Sequence, residues 1–525
     1  MAKKQPPGSA KKARRKPKAS TIKSPRKRPS STKTEKTSEN ASYSPEFPIV
    51  AIGASAGGLE AFEEFFSHMP SDSGIAFVLI QHLDPSHKSM LAELVSRFTQ
   101  MDVVEIEEGM KVEPNRVHVI PPNYYLAIFH GRLQLFDASE VPGIRTPIDH
   151  FFRSLAEDQQ ERSIGIILSG SGTEGAFGVR TIKGAGGMVM AQDPHTAKYD
   201  GMPRNAVTTG LVDFVLPVKE MPDQLMGYVD HAHSRWTSPP DRRPAKTAGL
   251  LEKVFNIVRS QTGQDFTHYK QNTVLRRIDR RMAINQIPSL EQYIGYLQMK
   301  PDEVKTLLKE LLIGVTNFFR DPQAFDIIQQ KVLPLLLKDR PHHMPLRIWV
   351  TGCATGEEAY SLAIACRETM DELKVDYEVQ IFATDIDRDS VQFARSGLYP
   401  NSIAADVTPE RLERFFTEQD SFFQLRRDLR EWVIFAEQNA ASDPPFSNLD
   451  LITCRNLLIY LGSELQKKLI ALFHYALRKD GFLFLGPSET VGQFSNLFTV
   501  VDRKWKVFKR KETESSVGDL LELRH

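Results

Sequence analysis

Gly53-Ala54-Ser55-Ala56-Gly57 has the form G-x-S-x-G. At a strand-to-helix turn this pattern lifts a serine hydroxyl above a sheet, where it can attack a carbonyl. Small neighbours keep the turn tight and let a substrate reach the backbone. A helix start behind it offers free N–H groups to an oxyanion. A serine nucleophile needs a base, and Gln81-His82 stands just past the next apolar run. A steadying acid is available as Glu174 in Leu168-Ser169-Gly170-Ser171-Gly172-Thr173-Glu174-Gly175. The order Ser, His, acid differs from the Ser, acid, His of α/β-hydrolases, which disfavours that fold. Taken alone, the turn reads equally as a phosphate cradle or a plain turn.

A second set begins at Val350-Thr351-Gly352-Cys353-Ala354-Thr355-Gly356-Glu357-Glu358. A glycine-rich loop after a first strand lets a nucleotide-like ligand lie against the backbone. G-x-G-x-x-G and the P-loop lysine are both missing, so neither a dinucleotide nor a triphosphate is favoured. Acidic residues beside the loop suit a cationic ligand, as S-adenosylmethionine is. Asp385-Ile386-Asp387, at the next strand end, offers carboxylates to ribose hydroxyls, with a solvated loop as the plainer reading. The three cysteines, Cys353, Cys366 and Cys454, are widely spaced without a CxxC pair. That argues against a disulfide framework or a metal site and for a reducing compartment, hence a cytoplasmic protein. Cys353 and Cys454 read as small apolar fillers rather than nucleophiles.

The elements that must hold these residues are legible as apolar runs. Strands are expected at 48–53, 75–80, 164–168 and 188–191, with helices at 58–68 and 175–184. A second alternating series has strands at 348–350, 379–383, 449–452 and 482–485. Such alternation predicts α/β architecture: two doubly wound parallel-sheet domains. Residues 250–336 read as helical throughout, an all-helical subdomain between the two. Arg276, Arg277, Arg280 and Arg281 form a basic helical face there, suited to an acidic helix or simply solvated. Domain limits are expected at 47–232, 249–336 and 337–510, with a Pro-rich linker at 233–248 and a loose end at 511–525. Residues 1–46 carry 14 Lys and Arg against three Glu, leaving 53 basic and 63 acidic residues for the rest. The acidic body argues against nucleic-acid binding as its main work. The Lys/Pro/Ser/Thr-rich tail reads as disordered. No apolar run reaches the ~18 residues of a transmembrane helix, and no signal-like apolar segment follows the basic start.

The blocks around Ser55, His82 and Glu174, with Ala191-Gln192-Asp193 and Gly201-Met202-Pro203-Arg204, occur in the order of the CheB chemotaxis methylesterase catalytic domain, which residues 47–230 resemble. The resemblance implies Ser55 as nucleophile, His82 as base and Glu174 as the orienting acid, acting on glutamate methyl esters or on glutamine. Glu174 stands where that family has Asp, and a ~1 Å displacement can cost on the order of 10²-fold in rate. The family's phosphoacceptor receiver domain has no counterpart before the esterase blocks, so phosphorylation control through this chain is not supported.

Residues 250–505 resemble the chemotaxis receptor methyltransferase CheR. The blocks are Thr316-Asn317-Phe318-Phe319-Arg320, the Gly352–Glu358 loop, Ala383–Asp387, Cys454-Arg455-Asn456-Leu457-Leu458-Ile459-Tyr460 and Gly486-Pro487-Ser488-Glu489. The resemblance implies S-adenosyl-L-methionine as cofactor, surrounded by Thr316, Arg320, Glu357, Asp385, Asn439, Arg455 and Asn456. Gly314 replaces an Asn and Pro487 a His of that family. Arg320 and Tyr460 are candidates to orient the substrate carboxylate, with cofactor binding and packing as equal alternatives. The implied partners are methyl-accepting chemoreceptors and other chemosensory proteins. The expected protein both writes and erases glutamate methyl esters. The alternatives are a methyltransferase with a degenerate esterase module and a non-enzymatic scaffold.

Overall fold

The computed structural model describes residues 47–81, 90–138, 146–236, 246–338, 340–419 and 422–512. The expected basic tail, His82, the middle of the expected linker and residues 513–525 lie outside them.

The first lobe is a seven-stranded sheet with every neighbour pair parallel. Its strands are Ile49–Ala54 (β1), Ala76–Gln81 (β2), Asp102–Glu105 (β3), Arg116–Val119 (β4), Ser163–Ile167 (β5), Met188–Gln192 (β6) and Phe214–Leu216 (β7), in the order β3-β4-β2-β1-β5-β6-β7. β1 is buried along its whole length. Its side chains alternate: Val50, Ile52 and Ala54 join one apolar cluster, Ile49 and Ala51 the other. Period-two packing on both faces explains why the run is continuously apolar. One face is covered by Gly58–His68 (α1) through Phe62, Phe65 and Phe66. The other is covered by Pro147–Gln159 (α2) and Ala176–Ala185 (α3). A hairpin, Tyr124–Phe129 with Arg132–Asp137, packs beside α2 and was not foreseen in the sequence. It turns at His130-Gly131, both at positive φ.

Four helices follow: Lys246–Thr262 (α4), Gln271–Ile284 (α5), Leu290–Met299 (α6) and Pro301–Leu312 (α7). They share a core that includes Val254, Ile278, Tyr293 and Leu307. The basic face of α5 is not a docking surface. Arg277, Arg280 and Arg281 are buried, and only Arg276 is exposed. Arg277 donates to the carbonyls of Lys183 (3.0 Å) and Gly184 (2.7 Å), the open C-terminal end of α3. A cation there satisfies orphan carbonyls and complements the helix dipole. Arg280 donates to the Gly187 carbonyl (2.8 Å) and pairs with Asp213 and Glu310. Lys183 pairs with the same two acids, and Arg281 pairs with Glu303 (2.7 Å). The spacing marked one helix face correctly; tertiary packing turned it inward against the first lobe.

The second lobe has strands Leu346–Thr351 (β8), Val379–Asp385 (β9), Val433–Glu437 (β10), Leu449–Cys454 (β11), Leu477–Leu485 (β12), Phe498–Asp502 (β13) and Val507–Arg510 (β14), in the order β10-β9-β8-β11-β12-β14-β13. The sheet is mixed, because β14 runs antiparallel to β12 and to β13. β8 is followed by the helix Glu357–Leu373 (α8). In both sheets the order reverses beside the first strand, at β1/β5 and β8/β11. Parallel sheets open a crevice at such points, beyond the carboxyl ends of the strands. Among the described residues no helix is long and apolar enough to cross a membrane.

Candidate active sites

At the first crevice the chain leaves β1 through Ser55 and enters α1. The Ser55 amide donates to the Ser169 carbonyl (3.0 Å), and the Gly58 amide to the Ser55 carbonyl (2.9 Å). Gly57 takes φ 74°, which glycine adopts without strain. A Cβ on Gly170 would fall 3.0 Å from Ser55 Cβ, so the two loops approach closely there. The Ser169 hydroxyl donates to the Ala56 carbonyl (2.9 Å) and accepts the Tyr199 amide (3.0 Å). Ser55 and the loop leading to Glu174 therefore meet, as the motifs require.

Glu174 is engaged at a helix start. Its Oε1 accepts the Ile148 amide (2.6 Å) at the start of α2, while Asp149 accepts the Gly178 amide (2.7 Å) at the start of α3. Each acid thus caps the helix on the other's side. Burial, then the charge of Asp149, pushes the Glu174 carboxyl well above the usual carboxylate range. Burial pushes Asp149 up to about 7.

At the second crevice a cavity of about 290 Å³ is lined by Tyr269, Gly314, Gly352, Ala354, Asp385, Gln438, Asn439, Arg455, Asn456 and Tyr460, among others. An adjoining cavity of about 510 Å³ shares Gly314, Gly352, Ala354, Arg455, Asn456 and Tyr460 and adds Thr316, Arg320 and Glu358. Asp385 secures the glycine-rich loop: Oδ2 accepts the Ala354 amide (2.8 Å) and Oδ1 the Asp387 amide (2.9 Å). Burial raises its carboxyl above the ordinary value. Arg455 donates to the Arg320 carbonyl (2.8 Å), Asp321 (2.7 Å) and Glu358 (3.2 Å), and its guanidinium lies over Phe325 and Phe484. Buried Glu489 accepts the amides of Gly486 (2.7 Å) and Asn456 (3.0 Å). Phe319, Asp321, Ala354 and Asn456 hold positive φ around this site, and such backbone strain collects where a site is preformed.

Residues 50–225 match the CheB methylesterase family. Residues 250–312 match the all-alpha domain of CheR methyltransferase, and 314–507 its SAM-binding domain. The chain joins a CheB methylesterase domain to a CheR methyltransferase. An uncharacterised 104.1 kDa protein of Rhodobacter capsulatus is 35% identical over 439 residues, 80% of this chain and 46% of that one. Chemotaxis protein methyltransferase 2 of Vibrio cholerae is 30% identical over 269 residues, 49% of this chain and 93% of that one. A protein-glutamate methylesterase/protein-glutamine glutaminase of Geobacter metallireducens is 32% identical over 201 residues, 38% of this chain and 55% of that one. The chain spans about half the length of the Rhodobacter and Geobacter relatives.

In the CheR part, Thr316, Arg320, Asp385, Asn439, Arg455 and Asn456 all line the adjoining cavities, as does Tyr460. Glu357 does not line them. Its carboxylate accepts the Thr355 hydroxyl (2.7 and 2.9 Å), and burial raises it to about 7. Its neighbour Glu358 faces the cavity instead, and consecutive acids at a helix start leave that choice to tertiary packing. Tyr269 and Gln438 were missed. Tyr269 comes from the helical domain, more than a hundred residues from Asp385, and no local pattern marks it. Burial pushes the Cys353 and Cys454 thiols well up, as fits protonated packing groups. In the CheB part His82 lies outside the described residues.

Proposed function

We propose that the protein is a bifunctional receptor-modifying enzyme. Its CheR part methylates glutamate side chains of chemoreceptors with S-adenosylmethionine, and its CheB part hydrolyses those esters or deamidates glutamine. A cytoplasmic setting and other chemosensory proteins as partners belong to the same reading. The observation that carries it is the pair of adjoining cavities at the β8/β11 crossing, one suited to a nucleoside and one to an anionic side chain.

The lining fits the cofactor. Gln438 Oε1 and Asn456 Oδ1 are buried acceptors without a hydrogen-bond partner among the described residues, suited to amino and hydroxyl donors. Asp385 supplies a carboxylate for a cationic ligand in the smaller cavity. A Cβ at Gly314 would stand 3.0 Å from Ala354 Cβ, so glycine keeps the cradle open. When bound, S-adenosylmethionine supplies an electrophilic methyl group on a sulfonium. A glutamate carboxylate has an unperturbed pKa of ~4.3 and needs no general base at neutral pH. The residues have only to align it and exclude water. Arg320 and Tyr460 line the second cavity and would hold the carboxylate by charge-assisted hydrogen bonds.

For removal of the ester, Ser55 Oγ attacks the ester carbonyl, the serine proton passes to the leaving methoxide, methanol departs, and water frees the glutamate from the acyl-enzyme. A second reading, a degenerate esterase module, is favoured by one observation: the Glu174 carboxyl is engaged in capping α2 and is pushed toward neutrality. The deciding experiment incubates the full chain with labelled S-adenosylmethionine and chemoreceptors, maps methylated sites by mass spectrometry and follows methanol release. No label on any receptor refutes the writer. Methanol release by Ser55→Ala at the wild-type rate refutes the eraser. A large gain from Glu174→Asp favours degeneracy, and no change favours a working Glu174.

A further inference from the structure

The larger cavity is walled by both lobes. From the CheB side it is lined by Arg153, Glu157 and Gln160 of the α2 segment and Phe177, Thr181 and Gly184 of α3. From the CheR side it is lined by Thr316, Arg320 and Tyr460, and Tyr460 also lines the cofactor cavity. This wall is held at fixed distance. A Cβ on Gly184 would fall 1.8 Å from Val315 Cγ2, next to Thr316, so α3 lies directly on that loop. Arg277 ties down the C-terminal carbonyls of α3, and Lys183 and Arg280 share Asp213 and Glu310 behind it. At the other edge Arg153 pairs with Asp406 of the CheR part (3.1 Å). Asp406 also accepts from Asn317 (3.1 Å).

We propose that the CheB part builds half of the CheR part's acceptor site: the glutamate to be methylated enters through the cleft between the lobes, and Arg153 recognises its carboxylate or a neighbouring acid on the same helix. This rests on the methyltransferase reading above and adds where the substrate enters and what it touches. Three observations converge on it. Of the arginines of α5 that could have drawn an acidic helix, Arg277 and Arg280 are buried against the first lobe and Arg281 against Glu303, which leaves only Arg276 exposed. The cavity beside Arg320 and Tyr460 opens between them, with Glu157 and Gln160 exposed. Arg153 keeps about a third of its side chain exposed, so a guanidinium edge remains for a second anion. Receptor methylation then depends on a surface of the esterase domain apart from its serine.

The test uses the full chain. Arg153→Glu and Thr181→Trp place a repelling charge and a bulky ring in the cleft. Each should raise the receptor KM for methyl transfer at least tenfold. Cofactor affinity by calorimetry and methanol release by Ser55 should stay within twofold of wild type. Arg153→Lys should restore most of the loss. Asp406→Asn removes the ion pair while leaving Arg153 in place and should change KM less than twofold. Unchanged KM in both cleft variants, or faster transfer in either, overturns the proposal, the latter showing that the lobe covers the site. Asp406→Asn matching Arg153→Glu also overturns it, because Arg153 would then act only as a strut. A wild-type chain that binds cofactor but methylates no receptor defeats the underlying reading, and with it this one. That outcome is visible before any variant is made.

Discussion

At the residue scale, the two sites use acids for different ends. Glu357 is buried with Thr355 as its hydroxyl donor, and its carboxyl is raised to about 7. The folded chain therefore binds a proton there that the unfolded chain releases near 4.5. Its contribution to stability is present at low pH and declines as pH rises from about 4.5 to about 7. The difference corresponds to about 3 kcal/mol at most. Glu357→Gln should lack this decline, so denaturant midpoints of the variant and wild type should diverge as pH rises through that window. A constant gap across pH 4–8 would show that Glu357 does not titrate there. Asn456 combines φ 58° with an Oδ1 that has no partner among the described residues, at the cavity proposed for the cofactor. Asn456→Ala should weaken S-adenosylmethionine binding by about one to two orders of magnitude by calorimetry, as expected for losing a buried hydrogen bond worth ~1–3 kcal/mol.

At the element scale, helix ends carry much of the organisation. α2 and α3 lie side by side and are capped reciprocally by Glu174 and Asp149, so the acid expected to complete a triad is a structural group. Glu174→Ala should cost about 1 kcal/mol of stability through the lost cap, measured by denaturant unfolding. It should also lower methanol release if the esterase is active. A rate loss without a stability loss would mean that the cap is not what holds α2. The C-terminal end of α3 is closed by Arg277 from another domain. The period-two apolar strands and the spacing of α5 were readable because they are local. The hairpin at 124–137 and the antiparallel strands at 498–510 were not. Their short, part-polar runs declare themselves only by pairing.

At the scale of the whole molecule, the described lobes pack as one unit. Lys183 and Asp213 from the CheB part meet Arg280 and Glu310 from the CheR part in a buried cluster. Burial raises the Glu310 carboxyl, but Arg280, Lys183, Arg277 and Arg281 outweigh it and hold it at about 2. That contribution is present above the unfolded value near 4.5 and is lost as pH falls toward 2. Removing one partner leaves buried cations uncompensated, at a cost of about 3–5 kcal/mol. Glu310→Ala should split one calorimetric transition into two as the lobes uncouple. A single transition at the wild-type temperature would show that the cluster does not couple them.

The sequence by itself marked both candidate neighbourhoods, because each motif lies in a short loop after a buried strand. Ser55 with the 168–174 loop, and Thr316 with Asp385, Arg455 and Asn456, came together as the blocks implied. Which of Glu357 and Glu358 faces the ligand was decided by helix packing. So was the fate of the α5 arginines, whose spacing fits a free surface and a buried interface equally. The cleft between the lobes belongs to tertiary structure alone. Arg153 and Tyr460 lie more than three hundred residues apart, and only the docking of one sheet domain on the other makes them neighbours.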